Sequence, residues 1–63
     1  MNLDGDHVDI VFKNARIEIR MKGKLLSEAH QNARVKVLSL ATSTILEGIL
    51  VQKDLVEVIG AQQ

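Results

Sequence analysis

A strict alternation of apolar and charged residues, Ile-Glu-Ile-Arg-Met-Lys-Gly-Lys, runs through residues 17–24 and constrains the fold more than any other feature. Successive side chains of a β-strand point to opposite faces, so Ile17, Ile19 and Met21 share one face and the charged residues share the other. We therefore predict a strand that ends at Gly23, with its apolar face toward the core. Its charged face stays in solvent, as antiparallel sheets allow.

The segment before it has the same period. Residues 7–12 place Val8, Ile10 and Phe12 on one inward face. The three residues 13–15 contain an asparagine, which tolerates turn conformations, and they lie between two alternating segments. The two segments are therefore predicted to form a β-hairpin.

The second half of the chain contains three further apolar segments. Residues 34–37 resume the alternation, and the apolar runs 45–51 and 55–59 are separated by a polar turn at residues 52–54. The apolar residues of these two runs also fit a helical stripe. However, Gly48 costs about 1 kcal/mol in a helix interior, and the last run is rich in valine and isoleucine, so two strands are favoured.

Residues 25–32 contain no β-branched residue, and they could form one helical turn or an irregular loop ending at Asn32. The complete prediction is an all-β chain, residues 1–63 as a single β-domain. It is a small antiparallel β-barrel or sandwich of about five strands with one short helical turn. Several apolar residues fall on the second face of their strands, which suggests closure of the sheet or contact with another domain or copy. These residues are Leu38, Leu40, Leu55 and Ile59.

A chain of 63 residues without cysteine has few means of stabilisation. A domain of this size buries only about 60% of the surface that its unfolded chain exposes. Hydrophobic residues make up 46% of the chain and aromatic residues 2%, so the core must be aliphatic. We expect additional stabilisation from a partner, a second copy or the rest of a longer protein.

Composition and motifs argue against several classes of function. Eight basic and eight acidic residues balance, whereas nucleic-acid-binding domains concentrate positive charge. His7 lies near Asp6 and Asp9, but no second cluster completes a metal site, and Glu28 and His30 are interpreted as solvated loop residues. No nucleophile motif or phosphate-binding loop is present, so we predict no enzyme and no cofactor.

The sequence has no feature that places it in a membrane. Its apolar runs are far shorter than the roughly 20 residues needed to cross a bilayer, so no membrane insertion is expected. Residues 1–6 are acidic and polar, unlike a secretory signal. Such a chain is either not exported or a piece cut from a longer exported protein.

The order and spacing of the apolar and glycine positions carry a family resemblance. The positions are Gly5-x-x-Val8, Ile17-x-Ile19, Gly23-Lys24-x-Leu26-x-x-Ala29, Val35-x-Val37, Ile45-Leu46-x-Gly48-x-Leu50 and Val56-x-Val58. Together they resemble the carboxy-terminal β-domain of the flagellar basal-body P-ring formation chaperone, whose preceding domain is similar to SAF modules. The family usually has glycine where this chain has Asn32, and asparagine keeps access to positive φ.

The resemblance implies a periplasmic, non-enzymatic assembly factor that binds the flagellar P-ring subunit. It also implies that the chain is a carboxy-terminal piece of a longer protein. We hypothesise that strand addition contributes to binding, and that a charged row borders the client surface. The row consists of Arg16, Glu18, Arg20 and Lys22. The alternative is a small β-rich oligomerisation or regulatory module of a cytoplasmic protein, and a homodimer is possible for an isolated fragment.

Overall fold

The computed structural model describes residues 2–61, which form five β-strands and no helix. The strands lie side by side in chain order and close into one barrel. Within the described residues, no helix has the length and apolar character needed to span a membrane. The strands are β1 (His7–Lys13), β2 (Glu18–Leu25), β3 (Arg34–Ser39), β4 (Ile45–Gln52) and β5 (Leu55–Ala61).

The barrel closes with a parallel strand pair. Consecutive strands pair antiparallel from β1 to β5, and β1 then pairs with β5 in parallel register. The odd number of alternating strands makes the first and the last run in the same direction. The all-β prediction of about five strands in a small closed sheet is confirmed, with the difference that the closing pair is parallel.

Because the strand directions alternate, the connections fall at two ends of the barrel. The β1–β2 and β3–β4 turns lie at one end, which we call the arm end. The β2–β3 loop, the β4–β5 turn and the amino-terminal residues lie at the other, which we call the closed end. The molecule is elongated, with principal extents of 31 × 22 × 17 Å.

The predicted short helical turn in residues 25–32 is wrong, because Leu25 still belongs to β2 and a loop follows it. The backbone groups of this loop bond to other segments. Ala29 exchanges two hydrogen bonds of 2.9 Å with Asn2, and the Leu26 amide donates to the Lys36 carbonyl at 3.1 Å. Asn32 adopts a φ of 71°, as expected for an asparagine at a position that favours glycine.

The two-strand interpretation of the final apolar runs is confirmed by β4 and β5, and the helical alternative is excluded. The turn between these strands contains Asp54 with a φ of 64°. Gly48 lies in β4 next to a register shift, and a Cβ there would lie 2.8 Å from Val56 Cγ1 and closer still to the Glu57 carbonyl oxygen. Glycine at this position allows the close approach of β4 and β5.

Gly23 does not end β2, contrary to the prediction, and the strand continues to Leu25. A Cβ on Gly23 would lie 2.8 Å from the Leu38 carbonyl oxygen and would collide with Ile10. A glycine within a strand often marks a close approach of another segment. Here the missing side chain leaves room for Ile10 and for the Leu38 carbonyl while Gly23 pairs with both β1 and β3.

The core lies inside the barrel and is aliphatic, as the composition predicts. Leu38 and Leu55, from the predicted second apolar face, are half-buried, whereas Leu40 and Ile59 are exposed. Closure therefore covers only part of that face. The buried core cluster consists of Val8, Ile10, Leu25, Ala29, Val35, Val37, Leu50 and Val56.

Candidate functional site

The β1–β2 hairpin extends farther than its neighbouring strands. Its ladder runs from His7↔Lys24 to Lys13↔Glu18, but β5 pairs with β1 only through Val11 and β3 begins its pairing with β2 at Gly23. We call residues 12–22 the arm. Within the part of the chain that the structure describes, its two strands pair with each other and with no third strand.

The tip of the arm is a tight turn built around Asn14. The Asn14 side-chain oxygen accepts hydrogen bonds from the amides of Arg16 at 2.9 Å and Ile17 at 3.1 Å. The Asn14 amide donates to the Ile17 carbonyl at 3.0 Å. Asparagine side chains commonly stabilise turns in this way, so the predicted hairpin is confirmed and its connection is ordered by its own polar groups.

One face of the arm is apolar and open to solvent. Phe12, Ile17 and Ile19 are 42%, 53% and 44% exposed, and only Met21 is half-buried. The prediction that all four lie in the core is wrong for the first three. They lie on the same face as Ile10, since Phe12 is paired with Ile19 and Ile10 with Met21, but the strands that would cover them end earlier.

The opposite face of the arm carries most of the charged row predicted to border the client surface. Glu18 and Arg20 form an ion pair of 2.9 Å, and Lys22 pairs with Asp9 at 2.6 Å. Arg16 lies in the tip turn and does not join them. The structure thus brings Glu18, Arg20 and Lys22 onto one strand face, with Arg16 at its end.

Electrostatics at the base of the arm favour ionised Asp9. The hydrogen bond from Lys22 lowers the pKa of the Asp9 carboxyl below its ordinary value, and the positive charge of Lys22 lowers it further. Both side chains are exposed, so this ion pair contributes little to stability. The ion pair joins the paired positions Asp9 and Lys22 of β1 and β2.

The outer edge of β2 is open in the part of the arm that contains Glu18 and Arg20. Backbone N–H and C=O groups alternate sides along an antiparallel strand. The Lys22 carbonyl accepts a hydrogen bond from the Leu40 amide at 3.0 Å, on the side away from β1. Arg20 and Glu18 are two and four residues before Lys22, so their backbone N–H and C=O groups point to the same side as those of Lys22. No strand within residues 2–61 pairs with Arg20 or Glu18 on that side.

The closed end is held by a buried side chain that sequence reasoning did not identify. Asn2 is fully buried, and its amide nitrogen donates to Asp54 at 2.5 Å and to Asp6 at 3.1 Å. Its side-chain oxygen accepts from the Asp54 amide at 3.0 Å. No local pattern indicates this role, because Asn2 and Asp54 are 52 positions apart.

Asp6 completes this closed-end network. Its carboxylate accepts from the Leu3 amide at 2.8 Å and from Asn2. These hydrogen bonds, the Leu3 one first, lower the pKa of Asp6. Every polar atom of the Asn2 side chain is used within the network, so the closed end has a structural role.

Other titratable residues named from the sequence form no site. His7, Glu28 and His30 are exposed, as the loop interpretation predicts for the last two. Among the residues described, no group of three or more His, Cys, Asp and Glu residues is arranged to hold a metal ion. The open, apolar arm is therefore the candidate site.

Comparison with known proteins identifies the family of this chain. The model of a family described as "Chaperone for flagella basal body P-ring formation" matches residues 3–58, which include both ends of the barrel and the whole arm. Searches of curated proteins and of solved structures returned no match. The family match confirms the resemblance inferred from the spacing of glycines and apolar residues. This chain belongs to the family of chaperones for flagella basal-body P-ring formation.

Proposed function

We propose that this chain binds the flagellar P-ring subunit in the periplasm and assists assembly of the P-ring without catalysing a reaction. The family supports a role in P-ring formation. The observation that carries the binding proposal is the arm, an apolar hairpin face that the barrel leaves in solvent. A contiguous exposed apolar surface is characteristic of interaction sites.

The size of the apolar face fits a reversible contact. Full burial of a large aliphatic or aromatic side chain contributes roughly 1.5–3 kcal/mol, and Phe12, Ile17 and Ile19 are already about half covered. Their combined contribution is therefore a few kcal/mol, from which the costs of association are subtracted. A chaperone needs such moderate binding because it must release its client into the ring.

The net positive charge around the arm favours a client whose surface is negatively charged. Residues 9–22 carry an excess of two positive charges, and the rest of the chain carries the matching negative excess. We assign Arg16, Glu18, Arg20 and Lys22 to the border of the client surface. A basic border attracts an acidic client surface and accelerates encounter at low salt.

Charge reversal tests the client surface. Binding of the purified P-ring subunit to the Arg16→Glu/Arg20→Glu variant is measured by calorimetry beside Lys53→Glu, a control with an exposed charge in the β4–β5 turn. We expect at least about tenfold weaker binding for the arm variant and no change for the control. Unchanged binding of the arm variant removes these residues from the client surface.

Substitution of Ile19 tests the apolar face separately. Ile19→Asp leaves the barrel core intact, since Ile19 is outside the core cluster, and it should abolish binding of the P-ring subunit. The free energy of unfolding of the same variant is measured by urea denaturation to verify folding. A folded variant that binds normally contradicts the proposal.

The periplasmic location is a separate part of the proposal. Osmotic-shock fractionation of cells expressing the tagged full-length gene should release the protein with periplasmic markers. That this barrel is the carboxy-terminal domain of a longer exported protein stays a prediction, which the mass of the released protein tests. Recovery with the cytoplasmic markers favours the cytoplasmic module instead.

A further inference from the structure

The open edge of β2 has a property that neither the family nor client binding explains. Glu18 and Arg20 aim their backbone groups at this edge, and their oppositely charged side chains lie on one face. The chain contains no proline that would block pairing there. The edge is therefore complementary to a second copy of itself running in the opposite direction.

We propose that two copies of the chain form a symmetric dimer by antiparallel pairing of their β2 edges, centred on Ile19. In this register Glu18 lies opposite Arg20 of the partner subunit, and Arg20 lies opposite the partner's Glu18. Both members of each pair have backbone groups that point outward. Each pair can therefore exchange two hydrogen bonds, as in an ordinary antiparallel ladder.

The neighbouring symmetric register is disfavoured by charge and by hydrogen bonding. Centring the pairing on Arg20 places two arginines directly opposite each other, which is destabilising. It also requires Lys22 to pair across the interface, although the Lys22 carbonyl already accepts from Leu40 at 3.0 Å. The register centred on Ile19 uses only the free positions Glu18 and Arg20.

In this register the side chains that meet across the interface are compatible on both faces of the sheet. On the charged face, the Glu18–Arg20 ion pair of one copy meets the reversed pair of the other, so opposite charges alternate. On the apolar face, Ile19 meets Ile19 of the partner subunit with Phe12 on the adjacent strand. The two hairpins thus form one four-stranded sheet with a single larger apolar face.

The dimer goes beyond the proposed chaperone function and does not depend on it. If the client adds a strand at the same edge, client and second copy compete for it, and self-pairing protects the edge until a client arrives. The tests below contain the purified chain alone. Their failure therefore leaves binding of the P-ring subunit untouched.

Cysteine cross-linking tests the register. The chain has no cysteine, so Ile19→Cys introduces a single thiol into a non-hydrogen-bonded pair about 4.5 Å apart between Cα atoms, within disulfide range. The control is Ile17→Cys, which is more exposed than Ile19 but lies roughly 14 Å from its symmetry mate in this register. We expect a covalent dimer from Ile19→Cys under mild oxidation and little from Ile17→Cys. Equal yields from both variants, or none from Ile19→Cys, overturn the proposal.

A charge-swap mixture tests the pairing of Glu18 with Arg20 of the partner subunit. Glu18→Lys alone and Arg20→Glu alone each place like charges opposite each other, so sedimentation should show dimer affinity lowered on the order of tenfold. An equimolar mixture of the two variants restores opposite charges and should recover dimers. Circular dichroism establishes that both fold. A wild-type chain that is monomeric up to millimolar concentration, or a mixture that does not recover, contradicts this dimer.

Discussion

The two ends of the barrel are stabilised in opposite ways. At the closed end, the buried side chain of Asn2 bonds to Asp6 and Asp54, and its backbone exchanges two hydrogen bonds with Ala29. At the arm end, β1 and β2 continue with only each other as neighbours, and Phe12, Ile17 and Ile19 remain in solvent. The groups at the closed end stabilise the fold, whereas the apolar side chains at the arm end remain exposed.

The difference shows how a chain of 63 residues can be folded and still expose an apolar face. A small domain has little stability to lose, so exposed apolar groups are tolerated only where the rest of the structure does not depend on them. The arm meets this condition because its contacts are local. We therefore expect substitutions to separate into those that unfold the barrel and those that alter only the surface.

The largest expected effect is the difference in unfolding free energy between two isoleucine-to-alanine variants, one in the barrel core and one in the arm. Ile10→Ala removes a fully buried side chain and should lower the free energy of unfolding by about 2–5 kcal/mol, enough to unfold much of a domain this small. Ile19→Ala, on the same face but 44% exposed, should cost about 0.5 kcal/mol. Urea denaturation in dilute solution measures both, and equal losses would show that the arm is part of the core.

Asn2→Ala tests the closed end. It removes the side-chain hydrogen bonds to the Asp54 and Asp6 carboxylates, and hydrogen bonds to charged groups contribute more than neutral ones, so we expect a loss of about 1–3 kcal/mol in the free energy of unfolding. Hydrogen exchange should also accelerate for the Ala29 amide, which bonds to the Asn2 carbonyl. A change confined to the arm would contradict the role assigned to Asn2.

Asn14→Ala is the matched substitution at the arm end. The Asn14 side chain accepts two exposed hydrogen bonds within its own turn, so its loss should cost about 0.5–1 kcal/mol, less than the loss at Asn2. Exchange should accelerate for the Arg16 and Ile17 amides and stay unchanged at the closed end. Equal destabilisation by the two asparagine substitutions would remove the distinction between the ends.

The smallest effect is the acid dependence of stability. Asp6 and Asp9 have folded pKa values below the ordinary value for aspartate of about 3.9. Their stabilisation is therefore complete above about pH 5 and is lost as pH falls below 4 through the folded pKa. Thermal melts between pH 6 and pH 2.5 should show a shallower acid decline for Asp6→Asn and for Asp9→Asn than for the unaltered chain.

Salt distinguishes the two carboxylates. Asp9 depends partly on the charge of Lys22, so added salt should reduce its effect. Asp6 depends first on hydrogen bonds from Leu3 and Asn2, so its effect should persist. If both acid transitions respond equally to salt, the two ends do not differ in this respect.

The sequence predicts the strands well because alternation is a local signal. Residues such as Ile10 and Phe12 are correctly assigned to one face, but their burial differs because it depends on where β3 and β5 begin and end their pairing. The continuation of β2 through Gly23 depends in the same way on its contacts with Ile10 and Leu38. Periodicity indicates which way a side chain points and does not indicate what lies opposite.

The candidate site was therefore only partly predictable. The charged row Glu18, Arg20 and Lys22 follows from the pattern, and the structure places it on one face. The exposed apolar face was assigned to the core instead. The Asn2 network could not be predicted, because Asn2 and Asp54 are 52 positions apart and become neighbours only after the barrel closes.

The parallel closure of the barrel determines how the molecule would respond to force. β1 begins at one end and β5 finishes at the other, so tension applied between residues 2 and 61 runs along both strands. The hydrogen bonds between Asp9–Val11 and Leu55–Glu57 would then be loaded together in shear. A hairpin pulled at its two ends instead breaks one bond after another. Under tension between its two ends, this small barrel would therefore resist unfolding until these hydrogen bonds break together.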